Sequence, residues 1–475
     1  MNESRLYIDG RWVEPAEPGR WATVINPATE EEVGRVAAGS AADADAAVQA
    51  AHRAFPAFSQ STREERLGLL EAILDGYKRR LPDIAAAMTA EIGIPKTFSE
   101  KVQACIGEWH LETAIKVLRD YEFEQDWGTT RIIREPVGVC SLISPWNWPM
   151  NQVVVKVAPA LAAGCTMVLK PSQYSPLSTL LLAEAIHEAG VPAGVFNLVN
   201  GPGSSLGEVL ATHPLVDMVS ITASTSVGAT VARAAAGSIK RVSQELGGKS
   251  AYIVFEDVNL EKVIAAGVRA CMRNSGQSCN APTRMLVARP VYDEAVEIAA
   301  RTASGLLVGD PQNPDTFMGP VAGKKQYETI VGYIESGLAE GARLAAGGRE
   351  RPEGLERGYF VRPTVFADVS NNMRIAREEI FGPVLAMIPF TDEDEAVAIA
   401  NDSEYGLSGY VSSNDVDRAR RVARRLRTGM VHLNGASTDM NAPFGGYKKS
   451  GNGREWGRFG LEDFLEVKAV MGYQK

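Results

Sequence analysis

Cysteine is scarce in this 475-residue chain: five occur, an odd number, at Cys105, Cys140, Cys165, Cys271 and Cys279. That argues against a disulfide framework and for reduced thiols in a cytoplasm. There is no CxxC and no HExxH, and the five histidines (52, 110, 187, 213 and 432) are scattered, so no metal is expected. Long apolar runs are missing as well. Residues 153–155 and 167–169 fall far short of the ~20 that span a bilayer. A basic excess is likewise absent. Lys+Arg 49 against Asp+Glu 58 give a net charge of −9, which argues against nucleic acid and anionic membranes as partners. The opening MNESRLYIDGRW lacks the apolar stretch of a signal peptide, so a cytoplasmic protein is expected. What is present is ordinary for a globular chain: 45% apolar and 23% charged residues. At roughly 100–200 residues per domain the length implies two to four units. A large α/β enzyme is what remains.

The first 40 residues read as short strands and turns, with Asn26-Pro27 as the turn of a hairpin. From 41 the pattern is helical. A helix over 44–58 follows a Ser40/Asp43 start, 61–80 carries Leu67, Leu70, Ile73, Leu74 and Tyr77 at helical spacing, 82–91 follows, and a long helix runs from 98 to about 118. The polar, aromatic segment 121–135 leaves the pattern. From 137 strands and helices alternate through short connections: strand 137–143, helix 150–163, strand 166–170, helix 176–189, strand 195–199, a Gly-rich turn at 201–207 leading into a helix, strand 218–222, helix 227–236 and strand 241–246. Continuous apolar strands in this rhythm predict a doubly wound parallel sheet covered on both faces. After Gly248 the alternation restarts, with helices from 260 and 292, and a second α/β unit extends to about 450. The C-terminal LEDFLEVKAVMGY alternates apolar and polar residues, as an exposed strand in need of a neighbour does.

Among the thiols, Cys140 and Cys165 sit in apolar runs and Cys105 and Cys271 in helical contexts, where a cysteine is ordinarily a small buried hydrophobe. Cys279 differs. It stands in NSGQSCNAP, a polar loop between Gly276 and Pro282, where a thiol can serve as a nucleophile or be an incidental exposed cysteine. No His or Asp neighbours it. Glu245, in QELGGKS, closes an apolar strand at the end where parallel sheets place their ligands, and the two glycines after it permit close approach. It could equally be a cap or an ion-pair partner. Asn147 lies in SPWNWP, a turn stiffened by two prolines and two tryptophans, and is either a preorganised amide donor or simply a turn residue. GPGSSLG contains Gly201 and Gly203 but not GxGxxG, a weak dinucleotide signal. Ser224, ahead of a predicted helix, offers a pyrophosphate seat. Lys170 is a ribose contact or a solvated strand-end lysine.

Taken in order, SPWNWP, LKPS, the GxG before a helix, TASTSVG, QELGGKS, GQSC, EEIFGPV, NDSEYGLS and PFGGYKKSGNGRE closely resemble the aldehyde dehydrogenase superfamily across essentially the whole chain. The resemblance implies a Rossmann-like cofactor domain (1–114 and 137–247), a second α/β catalytic domain (248–450), and a small β bridging or oligomerisation element (115–136 and 451–475). It implies NAD(P)-dependent oxidation of an aldehyde to a carboxylic acid, with Cys279 as nucleophile and Glu245 as general base. Asn147 with the Cys279 backbone N–H would form the oxyanion hole. Trp146, Lys170, Gln173, Gly203, Ser224, Val227, Gly228, Leu246, Glu379 and Phe381 would hold the cofactor. Two departures bear on that cofactor. Ala223 stands where glycine is frequent, adding a methyl beside the phosphate seat. Gln173 replaces a frequent glutamate, whose charge would repel a 2′-phosphate, so NAD is expected and NADP is left open.

By the same resemblance Trp148, Asn151, Gln152, Val155, Ser278, Asn280, Thr438 and Phe444 would line the aldehyde tunnel. Val155 replaces what is often a bulky aromatic, and Gln152, Asn280, Thr438 and Asp439 are polar for a fatty-aldehyde tunnel. A roomy, partly polar pocket for an aromatic or functionalised aldehyde is expected. The bridging element implies a homodimer or homotetramer. Two other readings compete: a cofactor-independent thiol esterase, and a non-catalytic protein that retains the fold. The nucleotide contacts weigh against the first, and Cys279, Glu245 and Asn147 together weigh against the second.

Overall fold

The alternation of apolar strands with helices builds two seven-stranded sheets in the computed structural model, which describes residues 2–474. In the first, five strands run parallel in the order Arg241–Glu245, Met218–Thr222, Val139–Ile143, Thr166–Lys170 and Phe196–Leu198. The antiparallel pair Leu6–Ile8 and Arg11–Val13 extends it at the Phe196–Leu198 side. The three central strands are buried along their whole length, as strands covered on both faces must be. Strand order reverses between Val139–Ile143 and Met218–Thr222. The loops leaving those two strands therefore diverge and open a crevice at their carboxyl ends, the usual ligand position in such sheets.

The second sheet has the order Arg343–Ala346, Thr364–Ala367, Val384–Phe390, Arg284–Ala288, Ala251–Val254, Ser408–Ser412 and Met430–Leu433, parallel except for its first pair. Each sheet has apolar clusters of its own, one built on the helices around Leu161 and Leu180, another on Phe366 and Ile388. The Ser40/Asp43 start is a capping box on helix Ala41–Phe58, and Asn26 accepts from the Ala28 N–H to form the hairpin turn between Trp21–Ile25 and Glu32–Ala37.

Two expectations change. The pieces 61–80 and 82–91 are one helix, Arg63–Ile92, with Pro82 inside it. A proline removes one helical bond, and burial of Ile84, Ala85 and Met88 beyond it keeps the helix going. The predicted helix 98–118 is interrupted: Ser99–Gln103 forms a wider π-turn before helix Cys105–Asp120. The C-terminal strand Leu465–Val470 finds its neighbour within the chain. It pairs antiparallel with Thr130–Pro136, which also pairs with Glu124–Trp127, so the 121–135 excursion supplies two strands of a three-stranded sheet.

Candidate active site

The turn after Val139–Ile143 ends in Pro149, the first residue of helix Pro149–Ala163, where its missing N–H costs nothing. Asn147 is buried, and its Nδ2 donates to the Gln277 carbonyl at 3.0 Å. Trp148 Nε1 donates to Ser278 Oγ at 2.8 Å. Both bonds tie the turn to the segment that carries Cys279. That segment follows helix Leu260–Met272 through three left-handed residues, Asn274, Ser275 and Gly276 (φ 55°, 56° and 72°). A Cβ on Gly276 would lie 2.1 Å from the Gly382 backbone, so only glycine fits there. Cys279 is half-buried on the wall of a cavity of about 270 Å³ shared with Trp146, Asn147, Gln152, Ser224, Leu246, Glu379 and Phe381. Burial, reinforced by the charges of Glu379, Glu245 and Glu455, holds its thiol well above the ordinary value.

Glu245 ends strand Arg241–Glu245 and is buried, yet neither carboxylate oxygen has a hydrogen-bond partner among the described residues. It is neither a cap nor a hydrogen-bonded ion-pair partner. Its Oε1 faces Gly445 and Gly453, only 2.8 and 3.0 Å from where their Cβ atoms would be. Burial first, and Glu455 second, push its carboxyl well above the usual range, against Lys156 and Arg454. Lys156 and Glu455 form a buried ion pair at 2.5 Å, and Lys156 Nζ also reaches Ser220 Oγ at 3.3 Å. The glycines after Glu245 serve close approach, as expected. A Cβ on Gly248 would lie 2.3 Å from the Cys279 carbonyl, and one on Gly247 would lie 2.1 Å from Glu379 Oε2. Glu379 Oε1 accepts from the Gly248 N–H at 3.0 Å. Burial raises its carboxyl to about 7 against that N–H and Lys249.

A second cleft, about 730 Å³, adjoins through Trp146, which lines both. Its walls include Lys170, Gln173, Gly203 and Val227. Lys170 is not a solvated strand-end lysine: it is buried, its Nζ donates to the Pro171 carbonyl at 2.9 Å, and burial lowers it to about 8. A Cβ on Gly203, the first residue of helix Gly203–Thr212, would lie 3.8 Å from that amine. Ser224 precedes helix Thr225–Ala235 and makes no capping bond to it, which leaves that N-terminus open toward an anion. Trp146 and Phe381 meet edge to face at 5.5 Å where the clefts join. Phe381 is held at φ 56° while Gln326 Nε2 donates to the carbonyls of Ile380 and Phe381. A cation, two helix N-termini and a half-buried carboxyl along one joined channel suit a dinucleotide. Gly228 is set back, packed beneath Leu246 and off both walls.

Residues 12–470 match the model of the aldehyde dehydrogenase family. The chain belongs to the aldehyde dehydrogenase family. It is 56% identical over 470 residues to 3-succinoylsemialdehyde-pyridine dehydrogenase of a Pseudomonas species, covering 99% of this chain and 98% of that protein. Among solved structures it is similar to aldehyde dehydrogenase C of Pseudomonas syringae, a cysteine-to-alanine mutant in complex with NAD+ and octanal. The two share 49% identity and a TM-score of 0.98, over 100% of this chain and 97% of that one. It is also similar to a Mycobacterium tuberculosis aldehyde dehydrogenase complexed with NAD+, at 42% identity and a TM-score of 0.96 over 98% of each chain. The fold is that of the family, and the activity is oxidation of an aldehyde.

Within this aldehyde dehydrogenase the expected tunnel residues are only partly gathered. Gln152 lines the Cys279 cavity, and Trp148 touches Ser278. Asn151 Oδ1 meets His110 Nε2 at 2.7 Å. Val155 lines a separate small cavity of about 20 Å³ with His110 and Trp456, and Phe444 packs on Trp456 at 4.8 Å. Asn280 holds Tyr410 through its carbonyl, and Thr438 is exposed. Sequence reasoning missed Lys156, Glu455, Gln326 and Trp456. Lys156 and Glu455 lie 299 positions apart, and no local pattern links them. Of the other thiols, Cys140, Cys165 and Cys271 are buried as expected, and Cys105 is half-buried. Among the described residues no cluster of three His, Cys, Asp or Glu is arranged for a metal, and no helix is long and apolar enough to cross a membrane.

Proposed function

We propose that this enzyme oxidises an aromatic or otherwise functionalised aldehyde to its carboxylic acid, with NAD held in the joined clefts. The observation that carries the reading is Cys279 on one cavity wall with Asn147 and Glu379. An aldehyde has no leaving group, so it can yield a hydride only after a nucleophile turns its carbonyl into an alkoxide. The Cys279 thiol loses its proton to solvent, favoured by the positive charge that a bound nicotinamide would bring to the cavity, and the thiolate adds to the carbonyl carbon. The free N–H of the Asn147 amide and the Cys279 backbone N–H stabilise the oxygen that becomes negative, a role worth about 3–4 kcal/mol per donor. Bound NAD supplies the acceptor for the hydride. Cys279 is left as a thioester, and Glu245 takes a proton from the water that hydrolyses it. A carboxyl raised by burial suits a base of this kind, because it holds a proton more strongly than an exposed carboxylate does.

Substrate choice rests on polarity. Gln152 lines the Cys279 cavity, and a polar side chain on that wall favours a substrate with a hydrogen-bonding group over a plain alkyl chain. Gln173 on the larger cleft supports NAD with a tolerance for NADP. Division into a cofactor unit, a catalytic unit and a bridging sheet follows the two large sheets and the small one. Exposed Val467 and Trp127 on the small sheet, and Met471 just after it, support a homodimer or homotetramer. Free thiols favour a cytoplasmic setting. Following reduced-cofactor absorbance with benzaldehyde-like and long-chain alkyl aldehydes, with either nicotinamide cofactor, tests the reading. Turnover that prefers the aromatic aldehyde and vanishes in Cys279→Ser supports it. A clear preference for long alkyl chains rejects the substrate class, and no turnover of any aldehyde rejects the reaction.

A further inference from the structure

The nucleophile segment and the oxyanion turn come from opposite sheets, yet one buried amide joins them. Asn274 Nδ2 donates to the Asn147 carbonyl at 2.8 Å and to the Gln277 carbonyl at 3.2 Å. The Gln277 carbonyl also accepts from Asn147 Nδ2, so its two lone pairs are both in use. One N–H of Asn147 is thereby pinned and the other is left for substrate oxygen. The orientation of Asn274 is set in turn by Gln103, whose Nε2 donates to Asn274 Oδ1 at 3.0 Å. Gln103 is buried and ends the π-turn Ser99–Gln103, the departure from the predicted continuous helix. Such turns recur where a side chain must be re-aimed. The Gln277 side chain closes the set, donating to the Asn274 carbonyl at 3.1 Å and accepting from the Ala322 N–H at 2.9 Å. Asn274 also accepts a left-handed backbone, a conformation that asparagine tolerates better than other residues with a Cβ.

We infer that Asn274, oriented by Gln103, is the positioning residue of the oxyanion site: it acts through Asn147 and Gln277 and touches no reacting atom. Buried hydrogen-bond networks of this kind lock the rotamers on which a preorganised site depends. The inference rests on the reading of Cys279 and Asn147 given above.

Asn274→Gly separates the two roles of the residue, because glycine keeps the left-handed backbone while the amide is lost. We expect kcat to fall by about 10- to 100-fold, below or up to the loss of a whole oxyanion donor, with KM for NAD unchanged. Alkylation of Cys279 by iodoacetamide displaces iodide and builds no alkoxide, so its rate should stay within about twofold of wild type. In a cycle with Asn147→Ala, the double variant should be no slower than Asn147→Ala alone, the mark of action through that residue. Gln103→Met, which leaves the Asn274 backbone alone, should lower kcat in the same sense by a smaller factor and keeps the test open should the glycine variant not fold. Unchanged kcat in both variants, additive losses in the cycle, or alkylation falling in step with kcat would each overturn the assignment. An inactive wild type would refute the reaction itself and the clamp with it, whereas an active wild type with an indifferent Asn274→Gly refutes the clamp alone.

Discussion

The two sides of Cys279 are built on opposite plans. On the amide side the polar groups are largely matched: Asn147, Asn274 and Gln277 give and accept at 2.8–3.2 Å, and Gln103 donates to Asn274 while its own Oε1 has no partner among the described residues. On the carboxylate side Glu245 is buried with both oxygens unpartnered, close to an ion pair, Lys156–Glu455, that acts on it through space. The matched side suits a task that demands fixed geometry, holding a developing alkoxide. The unmatched side suits a task that demands a change of protonation. A buried carboxylate without partners is costly to keep charged, and here that cost is what raises its proton affinity.

The comparison can be broken by substitution, and the largest effect belongs to the group both sides serve. Cys279→Ala should abolish NADH formation, a loss on the order of 10⁵–10⁶-fold in kcat; measurable turnover above about one hundredth of wild type would remove the thiol from the mechanism. Next comes Glu245→Gln. A burst of NADH close to one equivalent per active site should survive, while steady turnover falls by about 10²–10⁴-fold. Loss of burst and turnover together would place Glu245 at thiol activation instead. Asn147→Ala should slow the burst itself by about 10²–10³-fold, which rapid-mixing absorbance would read directly.

Glu455→Gln probes the unmatched side, and lowers the Cys279 thiol pKa in the same sense. The Glu455 charge raises the Glu245 carboxyl, so removing it should lower that pKa and move the acidic limb of the kcat profile to lower pH. Movement to higher pH would contradict the through-space account. The variant should also be destabilised by about 3–5 kcal/mol, because Lys156 is left buried without its carboxylate; a denaturant midpoint equal to wild type would say otherwise. The smallest expected effect is at the cofactor cleft, where Gln173→Glu should weaken NADP use relative to NAD by roughly fivefold to tenfold, one like-charge interaction near a surface.

Much of this architecture was legible beforehand, and the reason is burial. Strands Thr166–Lys170 and Met218–Thr222 match their predicted bounds because both faces are covered and the apolar run ends where the strand does. Helix starts at Leu260 and Tyr292 were equally plain. Asn147, Glu245 and Cys279 stood out through turn chemistry and loop context, and the family resemblance gave them roles. The rest depended on contacts that no window of sequence contains. The π-turn at Ser99–Gln103 carries ordinary helix-forming residues, and only its neighbours widen it. Lys156 reads as a helix lysine until Glu455 is folded against it. Pro82 suggested a break that the buried residues after it prevent. The C-terminal strand was read by its alternation and the resemblance grouped it with 115–136, but the register of their pairing became visible only in the fold.

The most direct measurement is the mass of the Glu245→Gln chain, quenched in acid shortly after mixing with aldehyde and NAD. A covalent increase equal to the acyl group, located on Cys279 and absent from Cys279→Ala, is the predicted result. A chain of unchanged mass in a sample that has produced a full equivalent of NADH and free acid would contradict the thioester.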